Sequence, residues 1–78
     1  MKIVIVDDEI ILSNKIAKKL EHHGFSVVIY NSYKKFIQRS PGMVDLYVID
    51  LSLRDGSGID IITFLRKNNI QSPIMIIS

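Results

Sequence analysis

The stretch Ile3-Val4-Ile5-Val6-Asp7-Asp8-Glu9 decides the fold, because an unbroken apolar run of four residues leads directly into a run of acids. Three more apolar tetrads occur, so that we expect strands at residues 3–6, 27–30, 46–49 and 74–77. Apolar runs that do not alternate with polar residues are typical of strands buried on both faces of a parallel sheet.

The segments between these tetrads have helical spacing instead. Their apolar residues predict three helices: Leu12, Ile16 and Leu20; Tyr33, Phe36 and Ile37; Ile61, Ile62 and Leu65. Gly24 is a stop signal for the first helix, and Asn31-Ser32 offers a cap for the second. Because parallel strands are joined by right-handed crossovers, the order β-α-β-α-β-α-β predicts an open α/β sheet with helices on both faces.

Composition excludes several classes of protein. The chain has 78 residues, enough for one small domain, and its 47% hydrophobic content is too high for a disordered tail. No apolar run has the ~18–20 residues of a membrane span, and the absence of cysteine excludes disulfide and zinc-ribbon scaffolds. The net charge is only +2, so we interpret the basic clusters around Lys18 and Lys35 as solvated helix faces rather than a nucleic-acid surface. A cytoplasmic location is the simplest expectation.

Polar residues directly follow three of the four predicted strands. Asp7 and Asp8 follow the first, Asp50 the third and Ser78 the fourth. The ligand site of an open α/β sheet lies at the carboxyl ends of its strands, so these side chains converge if the three strands are neighbours. Clustered carboxylates repel one another and favour a hard cation such as Mg²⁺, which suits phosphoryl transfer to a carboxylate nucleophile.

Each residue also has an ordinary structural interpretation. A lone aspartate at a strand end is usually a turn or cap residue. We interpret Asp55-Gly56 and Gly58 as turn residues before the third helix. His22 and His23 fall at the end of the first helix, where they complement the helix dipole.

The chain resembles the receiver domains of two-component response regulators. Four spaced segments carry the resemblance: the acids after residues 4–6, the segment 45–51 with Asp50 as phospho-acceptor, the acidic-glycine turn at residues 53–58, and residues 74–78 with Ser78 as the switch hydroxyl. The resemblance implies a flavodoxin-like sheet of strand order 2-1-3-4-5.

The same resemblance implies a role for each matched residue. Asp50 would accept a phosphoryl group from a phosphohistidine on a sensor histidine kinase. Asp8, Asp50 and the backbone carbonyl of Ser52 would hold Mg²⁺, with Asp7 assisting through water, and Ser78 would hydrogen-bond the phosphoryl oxygens. The Asp-Gly-Ser-Gly turn is commonest among regulators with a winged-helix DNA-binding domain, which implies a transcription factor as the parent protein.

Three departures from the family pattern qualify these expectations. Arg54 replaces a usual proline, so the loop beyond Asp50 is expected to be less restricted. Ser52 replaces a commoner methionine or asparagine, which affects the expected lifetime of the phosphorylated state.

The chain, residues 1–78, matches only the N-terminal part of a receiver domain and ends before the fifth strand with its lysine, the last two helices and any output domain. We therefore expect impaired phosphorylation and an exposed fourth strand that favours self-association or segment exchange with a second copy.

Two other functions remain open at this stage. A pseudo-receiver would be an interaction module that never takes phosphate. A phosphatase with an aspartate nucleophile is less favoured, because such enzymes usually carry a second aspartate two residues later, where this chain has Glu9 after Asp7 and Ser52 after Asp50. The receiver interpretation predicts a phosphorylated signalling domain rather than an enzyme with turnover.

Overall fold

The computed structural model describes residues 1–39 and 42–77 and contains a four-stranded parallel sheet. Its strands lie in the order β2-β1-β3-β6, with bounds β1 (Lys2–Val6), β2 (Ser26–Tyr30), β3 (Leu46–Asp50) and β6 (Ile74–Ile77). The predicted tetrads form these strands, and β1, β2 and β3 each extend one residue further. The expected α/β class and parallel order are confirmed.

Helices cover both faces of this sheet. Alternate residues of β1 point to opposite sides, so that Ile3 and Ile5 belong to one apolar cluster and Val4 and Val6 to the other. The first cluster includes Ile16 and Leu20 of α1 (Ile10–His22); the second includes residues of α2 (Tyr33–Ile37) and α3 (Gly58–Lys67). The core thus holds β1 and β3 between two layers of helix.

Two helix ends lie at residues that the sequence singled out, Ser32 and Gly24, and a third is capped by Ser57, which was not predicted as a cap. The Ser32 hydroxyl accepts from the Lys35 N–H at 3.1 Å and caps α2, while the Ser57 hydroxyl accepts from the Ile59 N–H at 3.1 Å and caps α3. After α1 the chain turns at Gly24, whose φ of 90° is easily adopted only without a side chain. These local signals mark the starts of α2 and α3 and the end of α1.

A small hairpin between β3 and α3 was not predicted. It consists of the two-residue strands β4 (Ser52–Leu53) and β5 (Gly56–Ser57), paired antiparallel around the turn Arg54-Asp55. The predicted turn is confirmed for Asp55 but not for Gly56, which begins β5, or for Gly58, which begins α3. The strands themselves are too short to leave an apolar pattern in the sequence.

Not every tetrad is buried on both faces: that expectation is wrong for β2, whereas the exposure of β6 agrees with the expectation of an exposed fourth strand. Both strands lie at the edges of the described sheet, and Met75 and Ile76 of β6 are 54% and 52% exposed. An edge strand has a neighbour on one side only, which leaves its apolar residues less covered than those of β1 and β3. None of the helices described is long and apolar enough to cross a membrane.

Candidate functional site

Three aspartates meet at the carboxyl ends of two neighbouring strands. Asp7 and Asp8 directly follow β1, and Asp50 is the last residue of β3, which pairs with β1. One carboxylate oxygen from each of the three lies within 4.8 Å of the other two. The structure therefore brings together the carboxylates that strand adjacency predicted, including Asp8 with Asp50.

Asp7 is the buried member of this acidic group. Only 2% of the residue is exposed, and its Oδ1 accepts from the Glu9 N–H at 3.0 Å. Burial raises the pKa of the Asp7 carboxyl above its ordinary value, the Glu9 N–H opposes that rise, and the negative charge of Asp50 adds to it. A buried carboxylate that repels its neighbour is a group that a cation would stabilise.

Backbone contacts fix the position of Asp50. Its Oδ1 accepts from the Ser52 N–H at 3.0 Å, so the side chain is held by the loop that follows it. The next residue, Leu51, donates its N–H to the Ile77 carbonyl at 3.1 Å and accepts from the Gly58 N–H at 3.1 Å. The half-buried carboxylate of Asp50 is thereby presented at the sheet edge by a loop tied to both β6 and α3.

Asp8 is held by the hairpin turn. Its Oδ2 accepts from the Arg54 N–H at 2.9 Å and lies 3.9 Å from Nε of the Arg54 side chain. The lack of proline at position 54 predicts only a less restricted loop beyond Asp50. The structure shows a backbone hydrogen bond that the proline usual at this position could not donate.

Asp55, next to Arg54, has a structural role in capping α2. Its two carboxylate oxygens accept from the Tyr33 N–H at 2.8 Å and the Lys34 N–H at 3.0 Å. These N–H groups, that of Lys34 first, lower the pKa of Asp55 below its ordinary value. The turn Arg54-Asp55 is consequently anchored on one side to Asp8 and on the other to α2.

The remaining predicted residues are placed as follows. Ser52 lies in β4, two residues after Asp50, and donates its N–H to the Asp50 carboxylate. Ser78 lies outside the described residues. His22 and His23 are at the end of α1, as expected, and do not belong to the acidic group. The contact between Arg54 and Asp8 could not be predicted from the sequence, because 46 positions separate the two residues and no local pattern links them.

The donor set fits a hard divalent cation. Asp7, Asp8 and Asp50 offer only carboxylate oxygens, which Mg²⁺ prefers. Burial, and after it the negative charge of Asp50, raises the pKa of Asp7, so its charged form is one that such an ion would stabilise. A half-buried carboxylate beside a cation is also a competent nucleophile toward phosphorus, because the cation reduces its repulsion from the phosphoryl oxygens.

Comparison with known proteins places this chain in a family. The curated transcriptional regulatory protein CiaR of Streptococcus pneumoniae is 26% identical over 78 residues, which are 100% of this chain and 35% of CiaR. The non-phosphorylated HemR receiver domain of Leptospira biflexa superposes with a TM-score of 0.89 at 26% identity, over 96% of this chain and 61% of that one.

A second solved structure has the same fold. TrrA of Thermotoga maritima, in complex with Mg²⁺ and BeF, gives a TM-score of 0.85 at 21% identity over 96% of this chain and 66% of TrrA. The chain thus spans about a third of the length of CiaR and about two thirds of TrrA. The family model described as the response regulator receiver domain matches residues 3–78. The chain therefore belongs to the response regulator receiver domain family.

Proposed function

We propose that this chain is a phosphoacceptor signalling domain in which Asp50 takes up the phosphoryl group. The observation that carries the proposal is the meeting of Asp50 with Asp7 and Asp8 within 4.8 Å, at the sheet edge where an open α/β fold binds its ligands. The Ser52 N–H supports it by donating to Oδ1 of Asp50 and so holding the carboxylate in place.

The proposed reaction forms an acyl phosphate on Asp50. A carboxylate oxygen of Asp50 attacks the phosphorus of a phosphohistidine on a sensor histidine kinase, and an O–P bond forms as the N–P bond breaks. The electron pair of the broken bond stays with the imidazole nitrogen, which leaves as the neutral ring after it takes up a proton. The domain is then a stoichiometric acceptor and not an enzyme with continuous turnover.

Asp8, Asp50 and the backbone carbonyl of Ser52 are the proposed Mg²⁺ ligands, with Asp7 acting through water. Bound Mg²⁺ would offset the negative charge that accumulates on the phosphoryl oxygens. The buried carboxylate of Asp7 adds negative charge to the site, and the hydrogen bond that it accepts from the Glu9 N–H keeps it in place. The Mg²⁺ in the TrrA structure supports this assignment by likeness of fold.

The role of the whole protein is a separate proposal, because the chain spans about a third of CiaR. The name of that relative, a transcriptional regulatory protein, supports a parent protein that regulates transcription. We further propose Ser78, outside the described residues, as the hydroxyl that contacts the phosphoryl group.

The test is to incubate the chain with acetyl phosphate and Mg²⁺ and to measure its mass. We expect the added mass of one phosphoryl group on a fraction of the chain, because phosphorylation of residues 1–78 alone is expected to be impaired. The added mass should be lost in Asp50→Asn and retained in Asp60→Asn, a control that changes an exposed carboxylate on α3. Continuous release of phosphate would favour a phosphatase instead. Absence of labelling in a full-length version would favour an interaction module that takes no phosphate.

We also propose that two copies of the chain associate through the β6 edge. Among the described residues β6 pairs only with β3, and its Met75 and Ile76 side chains are about half exposed. An exposed apolar edge strand favours pairing with another chain. Ile76→Lys should therefore shift sedimentation toward monomer, whereas Ile59→Lys, at a similarly exposed apolar position on α3, should not. A wild-type monomer at high micromolar concentration would contradict the proposal.

A further inference from the structure

Arg54 and Asp8 form a contact that bears on cation binding at the acidic group. Two groups of Arg54 approach the same oxygen, Oδ2 of Asp8: the backbone N–H at 2.9 Å and the side-chain Nε at 3.9 Å. Asp8 is one of the three carboxylates that lie within 4.8 Å of one another. A positive charge of the protein itself thus lies beside the oxygens that would bind a metal ion.

The two side chains differ strongly in exposure. The Asp8 side chain is 16% exposed, whereas that of Arg54 is 92% exposed. The carboxylate is therefore fixed at the site, while the guanidinium lies in water and can move away without breaking packed contacts. An ion pair of this kind is weak, and dissolved salt screens it further.

The backbone of Arg54, in contrast, is well anchored. Arg54 and Asp55 form the turn of the β4–β5 hairpin, and Asp55 holds the turn against α2 through the Tyr33 and Lys34 N–H groups. The Arg54 N–H holds the other side of the turn against Asp8. The Arg54 side chain is therefore attached to a fixed backbone position next to the acidic group, which keeps the local concentration of its guanidinium there high.

We infer that Arg54 is a tethered cation that competes with Mg²⁺ for Asp8 and lowers the affinity of the site for the metal. The guanidinium occupies the surroundings of Oδ2 when the metal is absent and must leave when Mg²⁺ binds there. Residual repulsion between the two positive charges acts in the same direction. The inference rests on the proposed function, since it concerns the metal site proposed above.

Substitutions at position 54 separate the side-chain charge from the backbone hydrogen bond. Arg54→Gln removes the charge and keeps the N–H, and Arg54→Lys keeps both. Lys18→Gln, at an exposed position on α1, makes the same change in net charge away from the hairpin. Because Arg54 is almost fully exposed, none of these substitutions removes a buried group, and circular dichroism of each variant checks the fold.

The experiment is a calorimetric titration of each metal-free protein with MgCl₂ at low and at moderate ionic strength. We expect Arg54→Gln to bind Mg²⁺ about three- to fivefold more tightly than the wild type, the upper part of the range typical of one exposed ion pair. Arg54→Lys and Lys18→Gln should stay within about twofold of the wild type. The advantage of Arg54→Gln should shrink as NaCl rises to about 0.3 M, because salt screens the competing charge.

The outcomes distinguish the inference from the proposed function. Equal or weaker Mg²⁺ binding by Arg54→Gln, with saturable binding in the wild type, overturns the inference and leaves the metal site intact. Tighter binding by Lys18→Gln to the same extent also overturns it, because net charge alone would then explain the effect. Absence of saturable binding in every protein overturns the proposed metal site and the inference with it.

Discussion

Gly58 packs directly against the peptide group that follows Asp50. A Cβ atom at position 58 would collide with the carbonyl oxygen of Asp50 and would lie 2.9 Å from both the carbonyl carbon of Asp50 and Cα of Leu51. The Gly58 N–H also donates to the Leu51 carbonyl at 3.1 Å. The first residue of α3 therefore fixes the backbone of the proposed phospho-acceptor, and only glycine fits this approach.

Gly58→Ala should destabilise the chain and displace Asp50. The new methyl group meets backbone atoms that cannot rotate away, so we expect a loss of about 1–3 kcal/mol in the free energy of unfolding. Labelling by acetyl phosphate should fall at a temperature where the variant is still folded. Ser57→Ala is the control: it loses the cap of α3, at a cost of about 1 kcal/mol, but adds nothing next to Asp50. Equal labelling of the two variants would contradict the positioning role of Gly58.

Asp7→Asn should raise the thermal stability of the metal-free chain at neutral pH. Burial raises the pKa of Asp7 above 3.8, so the folded chain holds the proton more strongly than the unfolded chain does. The contribution of Asp7 to the stability of the wild type is therefore fully present below pH 3.8 and is lost as pH rises through the folded-state pKa of Asp7. Asparagine keeps an oxygen for the Glu9 N–H and has no proton to lose.

The measurement is a series of thermal melts between about pH 4 and pH 7, with and without Mg²⁺. The melting temperature of Asp7→Asn should exceed that of the wild type by more as pH rises in metal-free buffer. Mg²⁺ should raise the melting temperature of the wild type more than that of the variant. Asp60→Asn, on the exposed face of α3, should show neither trend. A variant less stable than the wild type at every pH would show that the negative charge of Asp7 is not a cost to the fold.

The strands could be predicted from the sequence because four unbroken apolar runs are a local feature. The face that α1 buries could not be predicted as reliably. Leu12 has the spacing of Ile16 and Leu20 but is 46% exposed, whereas Ser13 and Ala17 are buried. Small side chains let the helix approach the sheet closely, so burial here follows the fit between helix and sheet rather than hydrophobic periodicity.

The acidic group could be anticipated for the same local reason, since Asp7, Asp8 and Asp50 each directly follow a predicted strand. The partners of the hairpin turn could not. Arg54 meets Asp8 and Asp55 meets Tyr33 across 46 and 22 positions of sequence, and either aspartate fits an ordinary turn equally well. Such contacts depend on how the hairpin packs between α2 and the sheet edge, which the spacing of residues in the chain does not determine.

Asp55→Ala should destabilise the chain in a pH-dependent way. The Tyr33 and Lys34 N–H groups lower the folded-state pKa of Asp55 below 3.8, so its contribution is present above that pH and is lost as pH falls through the folded-state value. We expect a lower melting temperature than the wild type at about pH 7 and a smaller difference near pH 3. Ser32→Ala removes the other cap of α2 and should cost about the same at both pH values, because a hydroxyl does not titrate. A deficit of Asp55→Ala that does not vary with pH would contradict the charged cap.

Tyr47→Phe should stabilise the chain. The Tyr47 side chain is fully buried in β3, and its hydroxyl has no hydrogen-bond partner within residues 1–39 and 42–77. Burial raises the pKa of this hydroxyl, which agrees with surroundings that solvate it poorly. Phenylalanine keeps the edge-to-face contact with Phe36, whose ring centre lies 6.2 Å away, and removes the unpaired oxygen. We expect a gain of about 1 kcal/mol in the free energy of unfolding.

Urea denaturation of Tyr47→Phe checks this expectation, with Tyr33→Phe as the control at a half-buried position on α2. The control should change the free energy of unfolding by less than about 0.5 kcal/mol, because its hydroxyl is not shut away from water. A loss of stability in Tyr47→Phe would mean that the buried hydroxyl is satisfied in solution by a water molecule or by a residue outside the described ranges. The cost of an unpaired polar atom in the core would then not apply to β3, and the tyrosine would be a stabilising residue of this strand.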